Sequence, residues 1–530
     1  MKRNSKALSL FCFLILFVLF LALPGCGGSA HNYHHAVIES EESIESEESS
    51  ETEESTESEE SSETEESIES EESSETEESI ESEESSETEE STESEESSET
   101  EESIESEESS ETEESIESEE SSETEESAGL YDESDNLVYS WDTLVSDYGL
   151  DVERDYDPYE EGYEDSRPWV ELLKKETKYR LVFPKSVTKI GDFVFSDCSS
   201  LVGVSLPSSL KSIGQWSFEN CSLRSISFPD TLTTIGSSAF IDCTSLESVN
   251  LPATLTAIDD QVFYNCKSLK NINLPDTLTS IGQLAFYGCE LLEDVNFAPT
   301  LTTIRARAFA YCSSLKSANL PDGLTTLGDA AFDSCKSLES ANIPDSLIIL
   351  NDWTFSECAS LKNVKLSSNL STIGMGAFGN CSSLESIELP ETLTTIRGQA
   401  FWSCQALKSV ELPKNIITIN SAVFSDCTSL NSISLPTALE TIDDYAFSSC
   451  SSLTTVSLPA GLKTIGKKAF ENCDVLSTVG IPDSLSTIYK SSFMNSTNLA
   501  LTYGSNSYTY GSLADFFTAF KDNGNTVVEE

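Results

Sequence analysis

Leu251-Pro252-Ala253-Thr254-Leu255-Thr256-Ala257-Ile258-Asp259-Asp260-Gln261-Val262-Phe263-Tyr264-Asn265-Cys266-Lys267-Ser268-Leu269-Lys270-Asn271-Ile272-Asn273 is one complete unit, and Leu274-Pro275 begins the next. Phe recurs at the position of Phe263 fourteen times, from Phe195 to Phe493. Cys recurs at the position of Cys266 thirteen times, from Cys198 to Cys473. Every Cys step is 23 residues except the 22-residue step from Cys221 to Cys243. A strict period in the twenties is the signature of a solenoid, in which each unit buries its apolar face only against its neighbours. The fold class expected is a β-rich, right-handed solenoid of about 14 rungs.

The unit predicts its own path. Leu269-x-x-Ile272-x-Leu274 ends in strand-like alternation and should include one short parallel strand. Pro275 removes a backbone N–H and stops the pairing. Leu278 and Ile281 turn back to the core. Gly282, like Gly191, Gly214, Gly236, Gly328, Gly374 and Gly466, is read as permitting a tight bend. Ala285-Phe286 should fill the centre of a short helical or 3-10 turn, and Cys289 a tight inside corner. Thirteen evenly spaced cysteines form a ladder rather than pairs, so buried, mostly reduced thiols are expected. The missing residue between Cys221 and Leu223 is expected to kink the stack near its start.

Outside the repeats the composition changes sharply. The whole chain has 94 acidic and 29 basic side chains and a net charge of −65. Residues 39–127 hold 45 of the acidic groups and no Lys or Arg. From Ile44 to Ser127 a dodecapeptide, Ile-Glu-Ser-Glu-Glu-Ser-Ser-Glu-Thr-Glu-Glu-Ser with Thr for Ile in some copies, repeats seven times. One apolar residue in twelve builds neither a helix stripe nor a strand face, and crowded like charges oppose compaction. A disordered stalk over 44–127 follows; a polyanion that collects calcium weakly is the other reading. The acidic balance argues against nucleic acid as a partner.

The N-terminus reads as an address. Lys2, Arg3 and Lys6 precede an apolar run from Ala7 to Leu23, which closes in Leu23-Pro24-Gly25-Cys26. This resembles the lipobox of bacterial lipoproteins, Leu-x-Gly-Cys. The resemblance implies a signal peptide over 1–25, lipidation of Cys26, and a lipid-anchored linker over 26–43. It places the mature chain on a bacterial membrane, plasma or outer. His31, His34 and His35, the only histidines of the chain, lie in that linker and are read as part of a flexible tail.

Residues 128–180, rich in Tyr, Asp and Glu, are expected to cap the N-terminal end of a repeat domain spanning 181–500. Asp155-x-Asp157 does not continue as a calcium loop. Over 501–530 the pattern departs, and Leu513, Phe516, Phe517 and Phe520 form a helical stripe suited to a second cap.

The rung pattern resembles the BspA-type leucine-rich repeat family, with its Leu-Pro-x-x-Leu-x-x-Ile-Gly-x-x-Ala-Phe-x-x-Cys-x-x-Leu signature. Ser367 departs from it at the Pro position. The resemblance implies a surface protein, in several members an adhesin. No enzyme is expected: residues 128–530 contain no His, no glycine-rich phosphate loop appears, and the thiols sit in the core. No cofactor or metal is expected either.

Candidate binding residues are therefore sought among the variable positions. One column reads Arg224, Glu247, Lys270, Glu293, Lys316, Glu339, Lys362, Glu385, Lys408, alternating in sign as a surface network would. A second reads Asn250, Asn273, Asn296, Asn319, Asn342. These amides either bond to one another as a ladder or offer themselves to a glycan or peptide. Beside the Phe column stand Trp216, Tyr264, Tyr287, Tyr311, Trp353, Trp402 and Tyr445, as interface anchors or as packing between rungs. The function expected is a lipid-anchored surface protein that binds a host or microbial protein or glycan. The alternative is a structural or protective layer without a specific ligand.

Overall fold

The computed structural model describes residues 126–156 and 167–529. The expectations for the signal peptide, Cys26, the histidines, Asp157 and nearly all of the dodecapeptides lie outside these residues.

The repeats form a β-solenoid of 23-residue turns. Most rungs contribute two short parallel strands where the hydrophobic pattern suggested one. Asn271–Asn273 pairs with Ser248–Asn250 and Asp294–Asn296, residue for residue. Ile272 points inward and is buried, while its two neighbours face solvent. The second strand, Ser280–Ile281, pairs with Ala257–Ile258 and Thr303–Ile304. Here only Ile281 turns inward, so Ile281 reaches the core from a strand rather than from a bend.

The third side of the rung corrects the expected helical or 3-10 turn. No helix forms there in any described repeat. In every rung but the last, the residues two before and two after the Phe are left-handed: φ is 59° at Gln261 and 55° at Asn265 around Phe263. Left-handed residues break a helix after a single turn. The N–H groups of Gln261, Phe263 and Asn265 instead donate to the carbonyls of Gln283, Ala285 and Tyr287 in the next rung, at 2.9, 2.8 and 2.7 Å.

The role of Gly282 also differs from the expected bend. Its φ is not left-handed; a Cβ there would lie 2.5 Å from the backbone C of Asp259 and N of Asp260. Glycine is needed because two backbones approach closely. The position alternates between Gly236, Gly282, Gly328 and Gly374 and the larger Asp259, Arg305, Asn351 and Arg397. Arg305 and Arg397 each reach back two rungs, to Asp260 at 3.4 Å and Asp352 at 3.1 Å. The rungs of this stretch are therefore built in pairs.

Down the axis runs an uninterrupted stack of fourteen Phe rings. Adjacent centroids from Phe195 to Phe493 are 5.1–5.8 Å apart and the planes lie within 3–17° of parallel. The thirteen repeat cysteines are free and buried. From Cys221 to Cys473 each thiol donates to the carbonyl of the Phe one rung back, at 3.1–3.3 Å. The last rung has Ser496 in place of Cys, and its hydroxyl bonds to Phe470 O at 2.6 Å in the same way. Hydroxyls stitch another side: Thr277 Oγ1 donates to the carbonyls of Ala253 and Leu255, at 2.9 and 2.8 Å.

The one-residue deletion after Cys221 leaves the ring stack intact, with spacings of 5.4 and 5.3 Å on either side of Phe218. It falls where the longer strand ladder is interrupted, between Leu201–Ser205 and Ser225–Ser227. The core runs on across it, and Arg224 N–H still donates to Val202 O at 3.1 Å between the two rungs.

Both ends of the solenoid are covered. Gly129–Tyr131 and Leu137–Ser140 form an antiparallel hairpin that joins Tyr179–Val182, and this strand pairs parallel with Leu201–Ser205. Helix Trp141–Tyr148 is capped by Ser140, whose Oγ accepts from Thr143 N–H, and ends at left-handed Gly149. Trp169 is buried on the first rung and its indole donates to Val194 O at 2.9 Å. Arg180 holds both carboxylate oxygens of Glu126, near the end of the acidic tract, and lies over the Tyr131 ring. At the other end Ala500–Tyr503 and Asn506–Thr509 form a hairpin. Helix Leu513–Asp522 buries Phe516, Phe517 and Phe520, and Thr526–Val528 completes the ladder beside Thr487–Tyr489.

Candidate functional site

The strand side and the Phe side of each rung carry the two sets of candidate residues, and the structure does not bring them together. Asn273, Asn296, Asn319 and Asn342 each end a three-residue strand and stand in register with their neighbours. The first three are exposed and Asn342 is half-buried. The expected amide ladder does not form. Only Asn250 makes a bond along the column, its Nδ2 donating to Ser227 Oγ at 3.2 Å. Neighbouring amides project from an exposed strand edge where water competes for them, so the row is left open to solvent.

The aromatic residues are all half-buried and engaged with one another or with the rungs. Tyr264 and Tyr287 stack at 4.9 Å, and Tyr311 follows at 5.1 Å with its ring tilted. Burial, with Tyr287 alongside, pushes the Tyr264 hydroxyl up to about 12. Trp353 sits at a left-handed position and lies on the backbone of Gly376, where a Cβ would strike its ring at 2.2 Å. Trp402 donates its indole N–H to Asp426 at 3.1 Å. Trp216 stacks on Phe193, and Lys468 lies over Tyr445. These contacts make the aromatics chiefly a means of packing rung on rung.

The charge column closes in pairs. Lys270, Lys316 and Lys408 each reach the Glu one rung back, Glu247, Glu293 and Glu385, at 3.3, 2.5 and 2.5 Å. The lysine beside Glu293 holds that carboxyl below the usual range, and Lys408 does the same to Glu385. Lys362 faces Glu339 in the same register and, among the described residues, forms no ion pair.

Around Lys362 the strand side holds a shallow concavity of about 440 Å³. It is lined by Asn319, Ser340, Ala341, Asn342, Lys362, Asn363, Val364, Lys365, Ser386, Ile387 and Glu388. Two of the candidates, Asn319 and Asn342, are in it; none of the aromatics is. The longer ladder stops here: Asn363–Lys365 pairs with Ser340–Asn342 on one side only, and residues 386–388 form no strand. Asn342 Oδ1 is buried with no hydrogen-bond partner; Ser491 Oγ is the other such atom among the described side chains. Lys362, Lys365, Asn363 and Glu388 were not singled out for binding from the sequence. The available signal was the end of the amide run, where the column changes from Asn342 to Lys365 and Glu388.

Among the described residues no group of three or more His, Cys, Asp or Glu side chains could hold a metal. Asp155 is engaged by Lys189 at 2.7 Å. No described helix is long and apolar enough to cross a membrane.

Stacked parallel rungs that repeat the same buried Leu positions, such as Leu246, Leu269 and Leu292, define the leucine-rich repeat class of solenoid. Residues 175–293, 279–405 and 371–500 match the BspA type leucine rich repeat region, in 6 copies, and the chain belongs to that family. Among solved structures it is similar to a leucine-rich repeat protein from Bacteroides ovatus, with 25% identity and a TM-score of 0.42 over 61% of this chain and 84% of that one. It is also similar to a leucine rich cell surface protein from Faecalibacterium prausnitzii, with 22% identity and a TM-score of 0.37 over 64% and 92%. The pneumococcal vaccine antigen PcpA matches at 20% identity and a TM-score of 0.34, over 66% and 89%. No curated protein matches the chain.

Proposed function

We propose that this protein is a non-catalytic binding module of a bacterial surface, tethered through lipid on Cys26 and spaced by its acidic tract. The observation that carries this reading is the strand side. Its exposed amide row leads into a polar concavity, while the rest of the repeat is occupied by packing and rung-to-rung bonds. Core positions are dictated by stacking, so only such outward positions are free to encode a partner. Leu23-Pro24-Gly25-Cys26 supports the tether, and the family's typical place on cell surfaces supports the location. The partner is a protein or glycan of a host or of another microbe.

The test has two parts. Mass spectrometry of the mature N-terminus is expected to find a diacylglyceryl group on Cys26; an unlipidated N-terminus elsewhere would remove the tether. The mature chain is then screened against matrix proteins, glycans and bacterial cells. Saturable binding, weakened by Asn319→Ala and Asn342→Ala more than by Trp353→Ala or Trp402→Ala, is expected. Absence of saturable binding to any of them would leave a structural surface layer.

A further inference from the structure

We propose that the side of the solenoid built by the second, two-residue strands is a pairing face, on which a second copy of this chain packs rung against rung. Three columns of side chains make up the face. The first runs from Thr233 to Ile417 and holds Thr five times, then Ile348, Ser371, Thr394 and Ile417. The second, Thr234 to Thr418, and the third, Thr231 to Asn415, hold only Thr, Ser, Ala, Ile, Asn and Gly. No charged residue stands in any of them over these nine rungs, and Lys211 and Glu440 close the first column at its ends. Ile348, Ile417 and Ile349, exposed by 58%, 56% and 48%, are the most exposed large hydrophobic side chains among the described residues, and all three lie on this face. Apolar exposure gathered on one face marks an interaction surface. Burying the first column costs little in lost hydration. Six of its seven hydroxyls already donate to the backbone carbonyl one rung back, at 3.0–3.2 Å.

Period and charge both point to a second copy as the occupant. A row that repeats at the ~4.8 Å spacing of adjacent strands is matched along its length by a partner of the same period, which a second copy has by construction. A chain of net charge −65 repels its own kind wherever acidic side chains face each other, and these columns present none. The margins of the face fix the orientation. One margin is acidic, with Asp230, Asp276, Asp322 and Asp345, while the other carries Arg305 and Arg397 among glycines, Asn351 and Asp259. Turning one copy end for end lays the acidic margin against itself. A two-fold axis along the solenoid sets each margin against the opposite one instead. Glu391 of one copy then faces Arg397 of the other, and no two like charges meet within a rung. Ile348 and Ile417 meet their own equivalents across the axis. Nine rungs by four residues give a footprint of roughly 550 Å² per copy, less than the ~800 Å² of a standard interface, so the pair is weak. The longer-strand side stays uncovered on both copies, which makes the pair bivalent towards a surface partner.

The test is sedimentation velocity of the mature chain over a range of concentration and salt. A reversible monomer–dimer equilibrium in the micromolar range is expected. Added salt is expected to strengthen it by screening the repulsion of two acidic chains, whereas association through ion pairs would weaken. Ile348→Glu with Ile417→Glu is expected to weaken pairing at least about tenfold, the scale of losing a buried aliphatic side chain. Asn296→Ala, on the longer-strand side, is expected to leave it unchanged. Orientation is read with a short bis-maleimide, because facing sheets lie about 10 Å apart, beyond the reach of a disulfide. Thr279→Cys and Ile417→Cys are each expected to cross-link to a copy of the same variant, and the unsubstituted chain, whose thiols are buried, is expected not to cross-link. Circular dichroism and the thermal midpoint establish that each variant is folded. A chain that stays monomeric at about 500 µM would overturn the proposal, as would a dimer untouched by the double isoleucine variant or one that salt dissolves. Cross-linking only in a mixture of the two cysteine variants would mean an end-for-end pair and overturn it too.

Discussion

The thiol of each rung shows how one residue meets several demands. Cys is small enough for the corner, apolar enough for full burial, and able to donate to the Phe carbonyl one rung back. Ser496 makes the same bond where Cys is absent, so the donor matters and not only the volume. Burial pushes the thiols up, Cys243 and Cys404 to about 12, and Cys266 and Cys312 likewise well above their ordinary value. An acid whose folded value is raised gives stability that is complete below its unfolded value, about 8.5 for Cys, and is lost as pH climbs towards the folded one. Each such thiol should cost about 1.4 kcal/mol per pH unit in that window. Urea midpoints are therefore expected to hold from pH 6 to 8 and to fall steeply above pH 9, with a shallower fall in Cys243→Ser. The same burial predicts that iodoacetamide at pH 8 labels the repeat thiols only after denaturation. Rapid native labelling, or an alkaline slope identical in Cys243→Ser, would contradict this account.

Within a rung, the elements obey contact distances more than propensities. Gly282 faces the backbone of Asp259 and Asp260 at 2.5 Å, whereas a Cβ on Gly323 would meet nothing closer than Pro299 O at 3.6 Å. Gly282→Ala should thus cost about 1–3 kcal/mol by forcing two rungs apart. Gly323→Ala should be neutral, or stabilise by up to about 1 kcal/mol through the unfolded chain. Thermal and urea unfolding of the two variants side by side checks this, and equal effects would count against the close-approach reading. The period, the Phe and Cys columns and the first strand were legible in the sequence because burial demands the same residue type at every turn. The second strand was not, since a two-residue strand carries one inward side chain and shows no alternation. The left-handed positions did leave a mark, in Asp197, Asn220, Asp242, Asn265 and Gly288 after the Phe, residues that tolerate that conformation. A reading by hydrophobic period passes over polar positions of that kind. Most of the concavity was hidden for another reason. Lys316 and Lys362 both follow Ser-Leu, and only the path of the side chains decides which one finds its Glu.

Over the whole molecule, stability is a sum of neighbour terms, and the two covered ends keep the last rungs from presenting open ladders. Three columns of side-chain bonds also share a direction. The thiols, the hydroxyl of Thr277 and the paired lysines of the charge column all donate from one rung to the rung before it. A ribosome delivers acceptors first and donors second along these columns. Every newly delivered turn therefore meets these acceptors already in place, while backbone amides such as those of Gln261, Phe263 and Ile343 wait for a successor. The hairpin and helices of the N-terminal end supply the first face. The molecule is a ratchet that can close as it is made. Arrested nascent chains of increasing length should show protease protection advancing in steps of 23 residues, and a single jump at full length would mean that the rungs close together instead.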